Sequence, residues 1–236
     1  MTKFKYSLSV FFPSHDEDKN ISKAVQEAKE FLKNFVKDYE IIIVDNCSRD
    51  KTGEIANNLA KNDSRISVIH NTMKRGYGYA LRTGFLSAKK DFVFYTDSNG
   101  QFSIKDLKKF FPHVEKFDLV IGYRKERQDS FVRKISSKIY NLLADHLFNL
   151  NIKDVDCAFK LCNRNIFSKI QLNTENSPSV ELLAKARKCN LKIKEIPVNH
   201  YKRLAGKSKA TTYFGLIKPN LVLTLLKELL DIKKEL

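Results

Sequence analysis

Residues 40–45, "EIIIVD", form an unbroken β-branched run closed by a carboxylate. A strand wetted on one side would alternate polar and apolar residues. This one offers both faces to a core, which a parallel sheet covered by helices provides. Strand and helix patterns alternate around it. Residues 7–12 read as a first strand ended by Pro13, after which Ile21, Ala24, Val25, Ala28, Phe31, Leu32 and Phe35 recur at helical spacing. Helices are predicted over 52–61, 80–88 and 104–111, with strands over 66–69, 92–96 and 119–121. This βαβα run predicts an α/β fold with an open, mostly parallel central sheet flanked by helices. Beyond it, a helix over 131–150 carries Phe131, Ile135, Ile139, Leu142, Leu143 and Leu147 on one stripe. "CAFKLC" and "LKIKEIPV" read as strands, with a helix over 180–188 between them.

No repeat or linker interrupts the pattern, so residues 1–236 are expected to form a single domain. Its tail, 211–236, is expected to be helical. Lys218, Pro219, Asn220 and Lys227 break its apolar run, leaving it too short and polar to span a bilayer. The N-terminus has no long apolar stretch or cleavage site of a signal peptide. Cys47, Cys157, Cys162 and Cys189 show no metal-site spacing and read as reduced, mostly buried thiols of a cytosolic protein. His15 and His70 stand apart from any Cys or other His. Lys and Arg number 43 against 27 Asp and Glu, a net charge of +16 that favours anionic partners. With no helix-turn-helix, RNA-recognition or zinc signature, those partners are expected to be phosphorylated molecules and an anionic membrane surface, not nucleic acid.

Ligands of open α/β sheets bind beyond the carboxyl ends of the strands. Four polar clusters sit there: residues 13–17, 45–50, 71–84 and 97–101. "RGYGYALRTG" has Gly76 and Gly78, but Leu81 stands where a dinucleotide fingerprint needs its third small residue, and the motif follows the third strand. No GKS or GKT run exists, which excludes a P-loop.

In this order, "FFPSHDE", "EIIIVDNCSRDKT", Asn71 followed by "RGYGYALRTG", and "TDSNGQF" resemble the family 2 glycosyltransferases of GT-A fold. "VIGYR", Arg133 with Ser137, "DVDCAFKLCNRNIF", Glu181 and "YKRLAGKSK" are similar to the dolichyl-phosphate mannose synthase branch, which includes bacterial polyprenyl-phosphate glycosyltransferases. The resemblance covers residues 5–210. The chain departs from the family pattern where Asp16 precedes Glu17, where Asn46 follows Asp45, at Asn99 in the D-x-D position, and at "DCAF", which retains Asp156.

The resemblance implies a metal-dependent, inverting transfer of a hexose from a GDP- or UDP-linked sugar to a polyprenyl phosphate. It places donor binding at Pro13, His15, Glu17, Asp45, Gly76, Asp97 and Ser98, and Mg²⁺ or Mn²⁺ at Asp97, Asn99 and Gln101. The acceptor phosphate falls to Arg124, Arg133, Ser137, Arg203 and Lys207, with Asp97, Arg124 and Arg203 catalytic. The chemistry agrees: hard cations take oxygen ligands, and forked guanidiniums suit phosphate. A lipid phosphate is already anionic and needs no base. A saccharide hydroxyl, the alternative acceptor, needs one, and Glu181 or Asp156 would supply it. A catalytically inactive basic relative is a third reading. The apolar stripe over 131–150, flanked by Arg127, Arg133, Lys134 and Lys138, suits an interfacial helix, so the protein is expected to be cytoplasmic and peripherally bound to the membrane.

Overall fold

The computed structural model describes residues 3–72, 76–206 and 219–236, without the side chains of 219–221. Lys207 and positions 211–218 of the expected tail lie outside the described residues. Seven strands form one sheet: β1 (Leu8–Ser14), β2 (Tyr39–Asn46), β3 (Ile66–Asn71), β4 (Phe92–Thr96), β5 (Leu119–Arg124), β6 (Phe159–Asn163) and β7 (Ile193–Val198). Their order is β3-β2-β1-β4-β6-β5-β7, and only the two pairings made by β6 are antiparallel. The helices are α1 (Ile21–Phe35), α2 (Thr52–Asn62), α3 (Tyr77–Ser87), α4 (Phe131–Phe148), α5 (Pro178–Lys188) and α6 (Pro219–Glu235).

Two cores cover the sheet, as the β-branched runs require. Ile41 and Ile43 point into the first with Val10, Phe12 and α1 residues Val25 and Leu32. Ile42 and Val44 point into the second with Phe11, Leu81 of α3 and Leu182 of α5. Residues 104–113 correct the expected helix. They form two short 3₁₀ turns, Ile104–Lys109 and Phe111–His113, because Pro112 has no N–H to carry an α-helical ladder through this stretch. The thiols are also less uniformly buried than expected: Cys157 and Cys162 are buried, Cys47 is partly so and Cys189 is exposed.

Two topological features position the site. From β1 the chain builds outward to β2 and β3, then crosses to β4 on the other side, so the sheet switches direction between β1 and β4, where ligands of such sheets bind. Strand β6 runs against its neighbours, pairing Thr96 with Phe159. The loop before β6 therefore reaches the same edge as the loops after β4 and β5.

Helix α4 is barely packed. Ala144 is its one buried residue, while Phe131 is 76% exposed and Leu142 62%. It lies against α6, which buries Leu229 and Ile232 but leaves Val222, Leu223, Leu226 and Leu230 exposed. Glu228 pins α6 by accepting from the backbone N–H groups of Glu175 and Asn176 and from Asn176 Nδ2. Among the described residues no helix is long and apolar enough to cross a membrane.

Candidate active site

The ends of β1 and β2 form one side of the site. Asp45 Oδ2 accepts from His70 Nδ1 at 2.8 Å and Oδ1 from the Ser48 N–H at 3.2 Å, so this carboxylate is fixed on the edge. The Glu17 N–H donates to Thr52 at 2.7 Å, and its carboxylate accepts from Asn20 and from Arg203 Nη2. Asp16 stands between them in a left-handed conformation, φ 52°. Pro13 is buried in β1 beside Val44. His15 Nδ1 is buried without a hydrogen-bond partner among the described residues. Ser98 turns inward, sharing a 3.0 Å hydrogen bond with Ser14. Gly76 offers its carbonyl to Asn46 Nδ2 at 3.1 Å. The glycines of the "RGYGY" motif serve close packing: a Cβ on Gly78 would lie 1.9 Å from the Thr174 carbonyl oxygen.

Beyond β4, Asp97 Oδ1 accepts from the Tyr77 hydroxyl at 3.3 Å and Oδ2 from Asn99 Nδ2 at 3.3 Å. Burial raises the Asp97 pKa, the Glu17 charge adds to it, and Arg124 and Arg133 pull it back. The result is a desolvated carboxylate in want of a cation. Asn99 is nearly buried, and its Oδ1 accepts from the Gln101 N–H at 2.9 Å. The Gln101 carboxamide lies 3.2 Å from His200 Nε2. His200 Nδ1 accepts from the Gln128 N–H at 3.1 Å, so its neutral ring carries the proton on Nε2 and the amide must turn its oxygen there. Burial holds the His200 pKa down to about 4.

Among the described residues no group of three or more His, Cys, Asp or Glu would hold a metal. The residues fit a hard cation on narrower terms. Asp97 supplies one carboxylate and Asn99 an amide oxygen, and Mg²⁺ sites of this kind rely on one or two carboxylates plus substrate phosphates. For Gln101 to join them it must leave His200.

The end of β5 opens a second, cationic side. Arg124 forms a two-pronged pair with Asp154, Nε and Nη2 each at 2.6 Å. Its Nη1 lies 3.7 Å from Asp129, which also meets Arg127 at 2.9 Å and Arg133 at 3.5 Å. Burial works against the charge on Asp129, yet Arg133 and Arg127 more than offset it and its pKa is lowered. Ser137 accepts from Arg127 Nη1 at 2.5 Å. Arg133 is the most accessible guanidinium, 32% exposed against 17% for Arg127 and 8% for Arg124. Arg203, expected in this group, lies on Glu17 instead.

Several residues escaped the sequence reading. Asp129 immediately precedes the α4 N-cap, and Asp154 lies within the "DVDCAF" stretch, but neither position reveals which arginines it holds. Tyr77 and His200 gave no signal beyond polarity. The two bases suggested for a hydroxyl acceptor separate clearly. Glu181 is fully buried and spent on the Asn173 and Thr174 N–H groups and on Lys185. Asp156 is reached by solvent and makes no hydrogen bond or ion pair among the described residues.

Comparison with known proteins agrees with this geometry. An undecaprenyl-phosphate 4-deoxy-4-formamido-L-arabinose transferase of Pseudomonas fluorescens (strain Pf0-1) is 29% identical over 209 residues, covering 86% of this chain and 60% of that protein. A dolichyl-phosphate beta-glucosyltransferase of Dictyostelium discoideum is 30% identical over 214 residues, covering 81% of this chain and 65% of that one. The chain thus spans less than two thirds of the length of either relative. In fold it is similar to the glucosyl-3-phosphoglycerate synthase of Mycobacterium tuberculosis. The complex with phosphoglyceric acid superposes with a TM-score of 0.70 at 17% identity, covering 94% of this chain and 79% of that one. The complex with Mn²⁺, UDP-glucose and phosphoglyceric acid does so with 0.70 at 15%, covering 96% and 78%. The family profile described as "Glycosyl transferase family 2" matches residues 9–171, and with more than half of the chain inside that match, this protein belongs to glycosyl transferase family 2.

Proposed function

We propose that the protein transfers a hexose from a nucleoside diphosphate sugar to a polyprenyl phosphate, inverting the anomeric carbon. The observation that carries the reading is the cluster of three guanidiniums, Arg124, Arg127 and Arg133, around Asp129 beside the edge that bears Asp97. Arg133 is the guanidinium of this cluster that solvent reaches most, at 32% exposure. Arginine forks suit phosphate oxygens. The exposed apolar stripe of α4 starts one residue beyond Ser130, its N-cap, which places hydrocarbon-compatible surface beside the cationic group.

On this reading Asp45, Glu17, Pro13, His15 and Gly76 receive the donor. Asp97 and Asn99 would hold a Mg²⁺ or Mn²⁺ ion, which would supply Lewis-acid neutralisation of the diphosphate charge. Arg133, with Arg124, Arg127 and Ser137 behind it, orients the acceptor phosphate, which needs no base. Arg203 closes over Glu17 on the donor side. The protein works at an anionic membrane surface and forms one catalytic domain. The Mn²⁺ and UDP-glucose complex of the fold neighbour and the polyprenyl-phosphate acceptors named for the relatives support this assignment. The open Asp156 favours a second acceptor class, a saccharide hydroxyl, for which it is the available base.

Transfer of radiolabelled sugar from a panel of UDP- and GDP-sugars to undecaprenyl phosphate, with and without EDTA, tests the reading. Labelled lipid that disappears with EDTA is the expected result. Label reaching only free saccharide acceptors would move the assignment to the hydroxyl reading.

A further inference from the structure

Lys160 is the one fully buried basic side chain among the described residues, 0% exposed in the centre of the sheet. It pairs with Tyr95 of β4 and Ile121 of β5. A lysine is rarely tolerated there unless its charge and donors are used. Its Nζ donates to the Val155 carbonyl at 3.0 Å and the Cys157 carbonyl at 2.6 Å, and stands 5.7 Å from the centroid of the Tyr95 ring. Burial opposes the cation, but Tyr95, Cys157 and Asp156 outweigh it and its pKa is raised.

The two carbonyls it grips flank Asp156. Because β6 runs against its neighbours, this turn lies at the site edge, although Lys160 itself is inside the sheet. With the carbonyls of residues 155 and 157 drawn inward, the turn presents the Asp156 side chain outward to solvent. The same turn carries Asp154, which takes both prongs of Arg124. On its outer side it is tied to α4, where Asn141 Oδ1 accepts from the Val155 N–H and Asn141 Nδ2 donates to the Lys153 carbonyl.

We propose that Lys160 is a positioning residue: from inside the sheet its ammonium clamps the turn 154–157 and thereby sets the exposed Asp156 at the site edge and, through Asp154, the guanidinium of Arg124. The effect on transfer rests on the function proposed above; the clamp does not. Its loss therefore disturbs both carboxylates of this turn at once, without touching the donor edge at β1 and β2.

The test compares Lys160→Met, of similar length without donors, with Lys160→Arg, which keeps charge and donors. In Lys160→Met, amide hydrogen exchange across 154–158 rises about tenfold or more, the size expected for losing charge-assisted hydrogen bonds, while β2 and β4 amides keep wild-type protection. The kcat for transfer to undecaprenyl phosphate falls by about as much, Mn²⁺–UDP affinity by calorimetry stays at the wild-type value, and Lys160→Arg restores both. Wild-type protection of 154–158 in the Met variant would overturn the proposal. So would uniform loosening of β4 with the turn, or a loosened turn with undiminished kcat. If the wild type transfers no sugar to lipid, the function reading fails and the exchange data still decide the clamp. Should Lys160→Met not fold, Lys160→Gln, with one donor left, takes its place; wild-type exchange and kcat in that variant overturn the proposal equally.

Discussion

Asn99 sits where a second carboxylate would double the charge offered to a cation, and its side chain is turned inward on Asp97 and Gln101. Asn99→Asp is expected to tighten Mn²⁺ binding in the presence of UDP, and Asp97→Ala to abolish it, both by calorimetry. Tighter binding by Asp97→Ala would remove the metal from this turn. Among the arginines the geometry grades the expectation. Arg133→Lys keeps charge but loses the fork, and transfer to lipid phosphate should fall roughly ten- to hundredfold with donor affinity unchanged. Arg203→Lys should weaken donor binding instead, since Arg203 lies on Glu17; an unchanged donor affinity would return it to the acceptor. His200 provides a pH signature. Its folded pKa of about 4 is below its ordinary 6.5, so the unfolded chain takes up a proton that the fold resists. That contribution is whole above pH 6.5 and is lost as pH falls through about 4. Asp97, whose pKa is raised by burial, acts with the opposite sign, its contribution fading as pH rises. His200→Asn is therefore expected to flatten the fall in thermal midpoint on acidification; an unchanged slope would show that the ring titrates normally. The family resemblance, not any local pattern, marked Asp97, Asn99 and Gln101 as a group. The three-way sharing of Asp129 was invisible, because it is decided by side chains meeting across a loop.

At the level of elements, the strands that the sequence disclosed best are β2, with its continuous β-branched run, and β1 and β4, with short apolar and aromatic runs, since burial on both faces leaves a distinct pattern. The β6 stretch "CAFKLC" read as a strand, but its reversed direction and the depth of Lys160 depend on which strands flank it, which no local pattern encodes. The α4 stripe was legible as helical periodicity. Its exposure was not, because spacing shows which residues share a face and not what covers that face. The α3 entrance is similar: the spacing of "GYG" does not show which backbone lies against it, and Gly78 is packed on the 174–175 loop. Gly78→Ala would drive a Cβ to 1.9 Å from the Thr174 carbonyl oxygen. Backbone must move to relieve that overlap, so about 3 kcal/mol of stability should be lost in chemical denaturation. A loss near zero would mean that the 174–175 loop yields freely.

At the scale of the molecule, an exposed apolar face across α4 and α6 coexists with a strongly basic chain. Anionic liposomes should bind the protein in flotation assays, and salt should weaken binding because exposed charges are screened beyond roughly 8 Å at physiological ionic strength. Phe131→Ser with Leu142→Ser should weaken it further. Equal binding to neutral vesicles would remove the electrostatic part. The reversed strand β6 has a different consequence, for the order in which the chain can fold. Strands β1 to β4 are complete by Thr96, yet the outer side of β4 waits for residues 159–163 to arrive. Until then "FVFYT", entirely buried in the finished sheet, is an open edge ready to pair with another chain. A chain interrupted between β5 and β6 should therefore aggregate through β4, and a ribosome making this protein carries that hazard for more than sixty residues of synthesis.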